Sequence, residues 1–147
     1  MSANINWKWF AVTLVFGLLA FLASPNAPLG HIWGHDAPNM NPTGLQKVLF
    51  ILLSIIQSFA FGLGIAFLIF GQPYINAILH GNKNLSTATY LAMAWSLMSW
   101  WPHTNFHQTL ETGNLSGLLA IEYGFHVTLI FGALIIVVFF LTFIQQK

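Results

Sequence analysis

Four runs of predominantly apolar residues, 5–23, 45–70, 85–101 and 115–144, take up most of this chain of 147 residues. A bilayer's hydrocarbon core of about 30 Å is crossed by roughly 20 apolar residues in a helix, so each run is read as a membrane-spanning helix. The third is the shortest and carries Ser86, Thr87, Thr89, Ser96 and Ser99. Packed between other helices, such hydroxyls bond to backbone carbonyls one turn earlier. The runs are continuous and do not alternate in the way a barrel strand requires. The expected fold is an all-α integral membrane protein: one four-helix bundle over residues 1–147, with a short interfacial helix after Pro102.

Charge agrees with this reading by its scarcity. A soluble domain carries about 25% charged residues, whereas this chain has four Lys, no Arg and three acids. Four scattered lysines give no electrostatic footprint for nucleic acid. The absence of Arg removes bidentate recognition of phosphate or carboxylate substrates, which favours a small or apolar substrate, a quinone or a gas. The absence of Cys excludes disulfides, zinc-thiolate sites, cysteine nucleophiles and c-type haem attachment. Neither a GxSxG nucleophile elbow, a Walker A loop nor a dinucleotide-binding glycine pattern occurs, and Gly62-Leu-Gly64 is read as a helix-packing element.

The first run is read as a retained helix and not a cleaved leader, because cleavage after Ala23 would place bulky Phe21 where a small residue is wanted. The connections are Ser24–Thr43, rich in Pro, Asn and Gly; Gly71–Asn84, a shorter polar turn; and Pro102–Asn114. Four crossings put Lys8, Lys83 and Lys147 on one side and Lys47, Asp36 and Glu111 on the other. The positive-inside tendency then places both termini in the cytoplasm of a plasma (inner) membrane and the first and third connections outside. Trp7 and Trp9 at one end, and Trp33, Trp100 and Trp101 at the other, are positioned as interfacial anchors.

This topology gathers five of the six histidines near one face. His31 and His35 lie in the first connection, His103 and His107 in the third, and His126 in the fourth helix; His80 alone is on the opposite side. Three spacings repeat: His31/His35, His103/His107 and Glu122/His126 each place two ligand-type side chains four residues apart. On a helix such a pair shares a face, with about 5–6 Å between Cβ atoms, and can chelate one ion. The helical premise holds best for Glu122/His126. It extends to His103/His107, because Pro102 suits a helix start, and Glu111 then continues that stripe. Gly30, Gly34 and Pro38 argue for an irregular loop around His31 and His35.

A carboxylate about 10 Å into a span, from 1.5 Å of rise per residue, is costly unless paired, protonated or coordinated. Glu122 therefore marks the site. The simpler reading is a Glu122–His126 hydrogen bond that satisfies both groups and nothing more. Imidazole plus carboxylate without thiolate suits iron or copper, with zinc or manganese as further candidates. The expected site is a transition-metal centre of His31, His35, His103, His107, Glu122 and His126, in a redox protein or oxygenase-like enzyme. Three alternatives stand beside it: a metal-handling module, a b-type haem electron-transfer module, and an accessory subunit of a larger membrane complex. Gln57 with Glu122 and His126 could also form a proton or cation path, although interhelical glue explains Gln57 more simply. Finally, Ser116, Ala120, Gly124, Thr128 and Gly132 repeat every four residues, about 200° from Glu122 and His126. That small-residue stripe is read as a surface for a homo-oligomer or a membrane-complex partner.

Overall fold

A computed structural model describes residues 7–33, 43–79, 82–111 and 113–145. His35, His80, Asp36 and Lys147 lie outside the described residues. Among those described, the chain is helical without strands. The elements are α1 (Trp7–Leu22), a 3₁₀ turn (Gly30–Trp33), α2 (Gly44–Phe70), α3 (Gln72–Ile78), α4 (Lys83–Met98), α5 (Trp100–Thr109), α6 (Leu115–Ile121), a π-helical turn (Glu122–Val127) and α7 (Thr128–Gln145). From Leu115 to Gln145 the helical path is continuous.

Two helices, 44–70 and 115–145, are long and apolar enough to cross a membrane; α1 is a shorter apolar helix. Only 17% and 11% of their most apolar windows is buried within the chain, so neither behaves as the core helix of a soluble domain. Leu45, Val48, Leu49, Leu52 and Ile56 on α2, and Ile130, Phe131, Leu134 and Leu141 on α7, are all exposed. Contiguous apolar surface of that extent needs lipid or protein to cover it, and it points to membrane association.

Local sequence explains where the helices start and stop. Thr43 caps α2 in a reciprocal capping box with Gln46. Asn82 and Asn114 cap α4 and α6 through their side-chain oxygens. The polar turn expected over 71–84 contains α3, which begins with Gln72-Pro73. Pro is favourable in a first turn, and burial draws the segment in: Ile75 and Leu79 pack with Tyr90 and Phe139 as the apolar core. The third run ends at Met98, and the path bends at Ser99 before α5 continues it.

The helices meet through small residues. A Cβ on Gly62 would lie 2.6 Å from the Gly17 nitrogen and closer still to the Thr13 carbonyl of α1. Gly64 faces Leu97 and Met98 of α4, and Gly132 rests on Ala92 of α4 at ordinary contact distance. Part of the small-residue stripe is thus consumed inside the chain: Gly132 on Ala92, and the Thr128 hydroxyl accepting the Trp95 indole N–H at 2.9 Å.

Two of the tryptophans placed as interfacial anchors turn inward. The Trp33 indole donates to the Ala23 carbonyl at 2.7 Å, and the Trp101 indole donates to the Ala20 carbonyl at 3.0 Å and the Ser24 hydroxyl at 3.1 Å. They tie off the C-terminal end of α1, where carbonyls lack helical partners. Trp101→Phe keeps the ring and deletes the donor, and is expected to lower stability by about 1 kcal/mol, read as a reduced midpoint in thermal unfolding of the purified protein. Of the hydroxyls in the third run, Ser96 bonds back to the Ala92 carbonyl as expected, whereas buried Thr89 and Ser99 have no hydroxyl partner among the described residues.

Candidate functional site

The site is built by two segments: α5 and the π-helical turn that follows α6. In α5 the bend at Ser99 is held by a hydrogen bond from the His103 amide to the Ser99 carbonyl. Pro102 sits in the first turn, where a missing N–H costs nothing. His103 and His107 then project one turn apart on the side facing the last helix.

The second contribution departs from the regular α-helix expected around Glu122 and His126. Residues Glu122–Val127 form a π-helical turn, a feature that appears mostly as a single turn inside an α-helix and is frequent at functional sites. Gly124, with open space about it, imposes no side-chain demand on the widened turn. The Thr128 hydroxyl donates to the Gly124 carbonyl at 2.7 Å and the Phe125 carbonyl at 3.0 Å, satisfying backbone acceptors at its end. Phe125 stacks on Trp95 of α4 and meets His103 edge to face, with centroids 5.7 Å and 5.4 Å apart. The turn is thereby clamped between α4 and α5.

Four of the six expected site residues come together. His107 Nε2 lies 3.1 Å from His103 Nε2 and 3.7 Å from Glu122 Oε1. His126 Nδ1 bonds the other carboxylate oxygen of Glu122, and the His103 and His126 rings are 4.7 Å apart. The side chains of His107, Glu122 and His126 are 33%, 39% and 43% exposed, so the carboxylate is shared between two imidazoles at a half-open surface. His103 is the deepest, and its Nδ1 is buried without a partner. Burial, then repulsion from His107 and His126, lowers its pKa below the usual histidine value, with Glu122 opposing. The shift favours the neutral imidazole, the form that ligates metal.

The other expected members do not join. His31 is exposed in the 3₁₀ turn and makes no hydrogen bond or ring contact with the cluster; its neighbour Trp33, packed on Trp101 and Phe106, holds that turn against α5 instead. The first connection therefore does not close over the site through His31, and His35 lies outside the described residues. Glu111 leaves the stripe because α5 ends at Thr109 and Leu110 is extended; it is exposed at the rim of a cavity of about 290 Å³ that reaches His107. Among the described residues no three His, Asp or Glu side chains are already arranged to hold an ion, since the four groups are bonded to one another and not aimed at a common point.

Two further polar residues bear on the site: Gln57, which the sequence offered as interhelical glue or as part of a proton path, and Asn105, which no motif announced. Gln57 of α2 donates to the Thr104 hydroxyl at 2.8 Å, which makes it interhelical glue against α5. Asn105, between the two histidines in sequence, is buried on the far side of α5. A helical wheel finds it, since a position 200° from both His103 and His107 falls on the opposite face.

In comparisons of the chain with protein-family models, curated proteins and solved structures, no match was found.

Proposed function

We propose that this is a four-helix membrane protein with both termini cytoplasmic, whose cluster of His103, His107, Glu122 and His126 binds a transition metal in the outer half of the bundle. One observation carries the reading: the 3.1 Å between His103 Nε2 and His107 Nε2, with Glu122 Oε1 at 3.7 Å. Two nitrogens bound to one ion at about 2.0–2.1 Å each stand about 2.9–3.4 Å apart for right-angled to tetrahedral coordination. The separation therefore matches a shared ion once the two rings turn to aim both nitrogens at one point. Binding requires the Glu122 carboxylate to turn from His126 toward His107, a side-chain movement on a half-exposed surface.

Two or three imidazoles with one carboxylate and positions left open make an oxygen- or electron-handling site for iron or copper. The cavity beside His107 gives a small molecule access to it. The function proposed is metal-dependent redox chemistry on a small or apolar substrate. Imidazole rings in mutual contact favour a single ion over haem, whose porphyrin must separate its axial ligands.

Elemental analysis and an absorption spectrum of the purified protein test this. Iron or copper near one per chain without a Soret band is the expected outcome. A Soret band would replace the reading by a haem module. Folded protein that takes up no metal on reconstitution would leave only a hydrogen-bonded cluster.

A further inference from the structure

On the opposite face of α5 from the histidines lies a cavity of about 130 Å³, walled by α1, α2 and α5. Among the described residues lining it none carries a charge: the polar groups are the side chains of Ser24, Asn26, Ser54, Gln57, Thr104, Asn105 and Gln108, and the rest are apolar. Phe50, Ile51 and Leu53 of this wall belong to the exposed apolar stretch of α2, so the cavity borders the surface that lipid would cover.

Asn105 is the anomaly. It is 3% exposed, and its amide nitrogen is buried with no hydrogen-bond partner. A buried unsatisfied donor is destabilising, and a leucine of similar size would avoid that cost. Gln57 donates to Thr104 in the same wall, and among the amides of this wall that of Asn105 is the one buried without a partner. A carbonyl oxygen on an apolar body answers all three features: an acceptor for the amide, no charge, and an apolar remainder against Phe50 and Ile51.

We infer that this cavity binds the head group of a neutral, carbonyl-bearing lipophile, with a quinone as the favoured source and a lipid ester as the other. The volume suits a single small ring. The inference concerns binding alone and stands whether or not His103 and His107 hold a metal.

Titration of the full chain in detergent with decylubiquinone tests it through tryptophan fluorescence, because Trp101 bonds to Ser24 in the cavity wall. Saturable quenching is expected, weakened at least tenfold by Asn105→Leu, while the thermal midpoint of that variant stays equal to or above wild type. Ser54→Leu, which fills the cavity from α2, is expected to weaken it as much and decides the matter if Asn105→Leu does not fold. Ethyl laurate is the competing arm: displacement of the quinone at similar concentration would assign the carbonyl to a lipid ester and support the site. Quenching that does not saturate, or that both folded variants retain, would overturn the inference.

Discussion

Replacing Glu122 by alanine is expected to remove bound metal from the purified protein, lowering apparent affinity by well over a hundredfold. Loss of a group that merely orients a ligand costs about 10–100-fold, and under the proposed function Glu122 would itself be a ligand beside two imidazoles that it contacts. Glu122 bonds His126 Nδ1 and lies 3.7 Å from His107 Nε2. Without it both imidazoles lose their carboxylate partner, and a metal bound as proposed would lose the negative charge that offsets its own. Glu122→Gln separates these effects: it keeps a side chain able to accept from His126 but lacks the charge, and it should retain the fold and lose most of the metal. Metal content by mass spectrometry, with circular dichroism to confirm folding, gives the answer. Unchanged metal in both variants would reduce Glu122 to a packing partner of His126.

Gly62 should be the most sensitive position in the packing of one helix on another. A Cβ there would press on the backbone of α1, at the Gly17 nitrogen and the Thr13 carbonyl. Backbone cannot swing aside as a side chain does, so Gly62→Val must separate two helices that pack along much of α1. Overpacking typically costs about 1–3 kcal/mol, and the upper end or beyond is expected here because the whole crossing has to move. The measurement is the thermal midpoint together with the monodisperse yield in detergent. Gly44→Ala is the control: nothing lies within 4 Å of its would-be Cβ, and alanine is the better helix former, so stability there should hold or rise. Equal stability of both variants would mean that α1 and α2 do not cross at Gly62.

The cost of Gly62 was visible in the sequence only as a packing motif, and the same division runs through the fold. The apolar runs at 45–70 and 115–144 became the two helices long enough to span a membrane, since their residues have no stable alternative to satisfying their backbone within a helix. The run at 85–101 was legible as a helix. Its break falls at Ser99, one turn before Pro102, which has no N–H to give the Met98 carbonyl and crowds it; the bend lets α5 lie against α2, where Gln57 binds Thr104. Likewise α3 hides in a polar-looking stretch, because Ile75 and Leu79 gain their burial from Tyr90 and Phe139, distant in the chain.

For the site, the four-residue spacings identified the ligand-type pairs, and helical geometry alone made each pair share a face. The sequence by itself therefore determined that His103 goes with His107 and Glu122 with His126, that the carboxylate lies within an apolar helix, and that the chain is helical and lacking in charge. It could not say which pairs meet. His31 has the same spacing to its partner as the others, yet Trp33 draws its turn onto Trp101 and Phe106 and leaves the imidazole outside. The π-helical turn depends on Phe125 being clamped between Trp95 and His103. Only the tertiary structure decided that two of the three pairs converge and where Asn105 is buried. Spacing fixes neighbours along a helix, but convergence between helices is set by the packing and bending of whole segments.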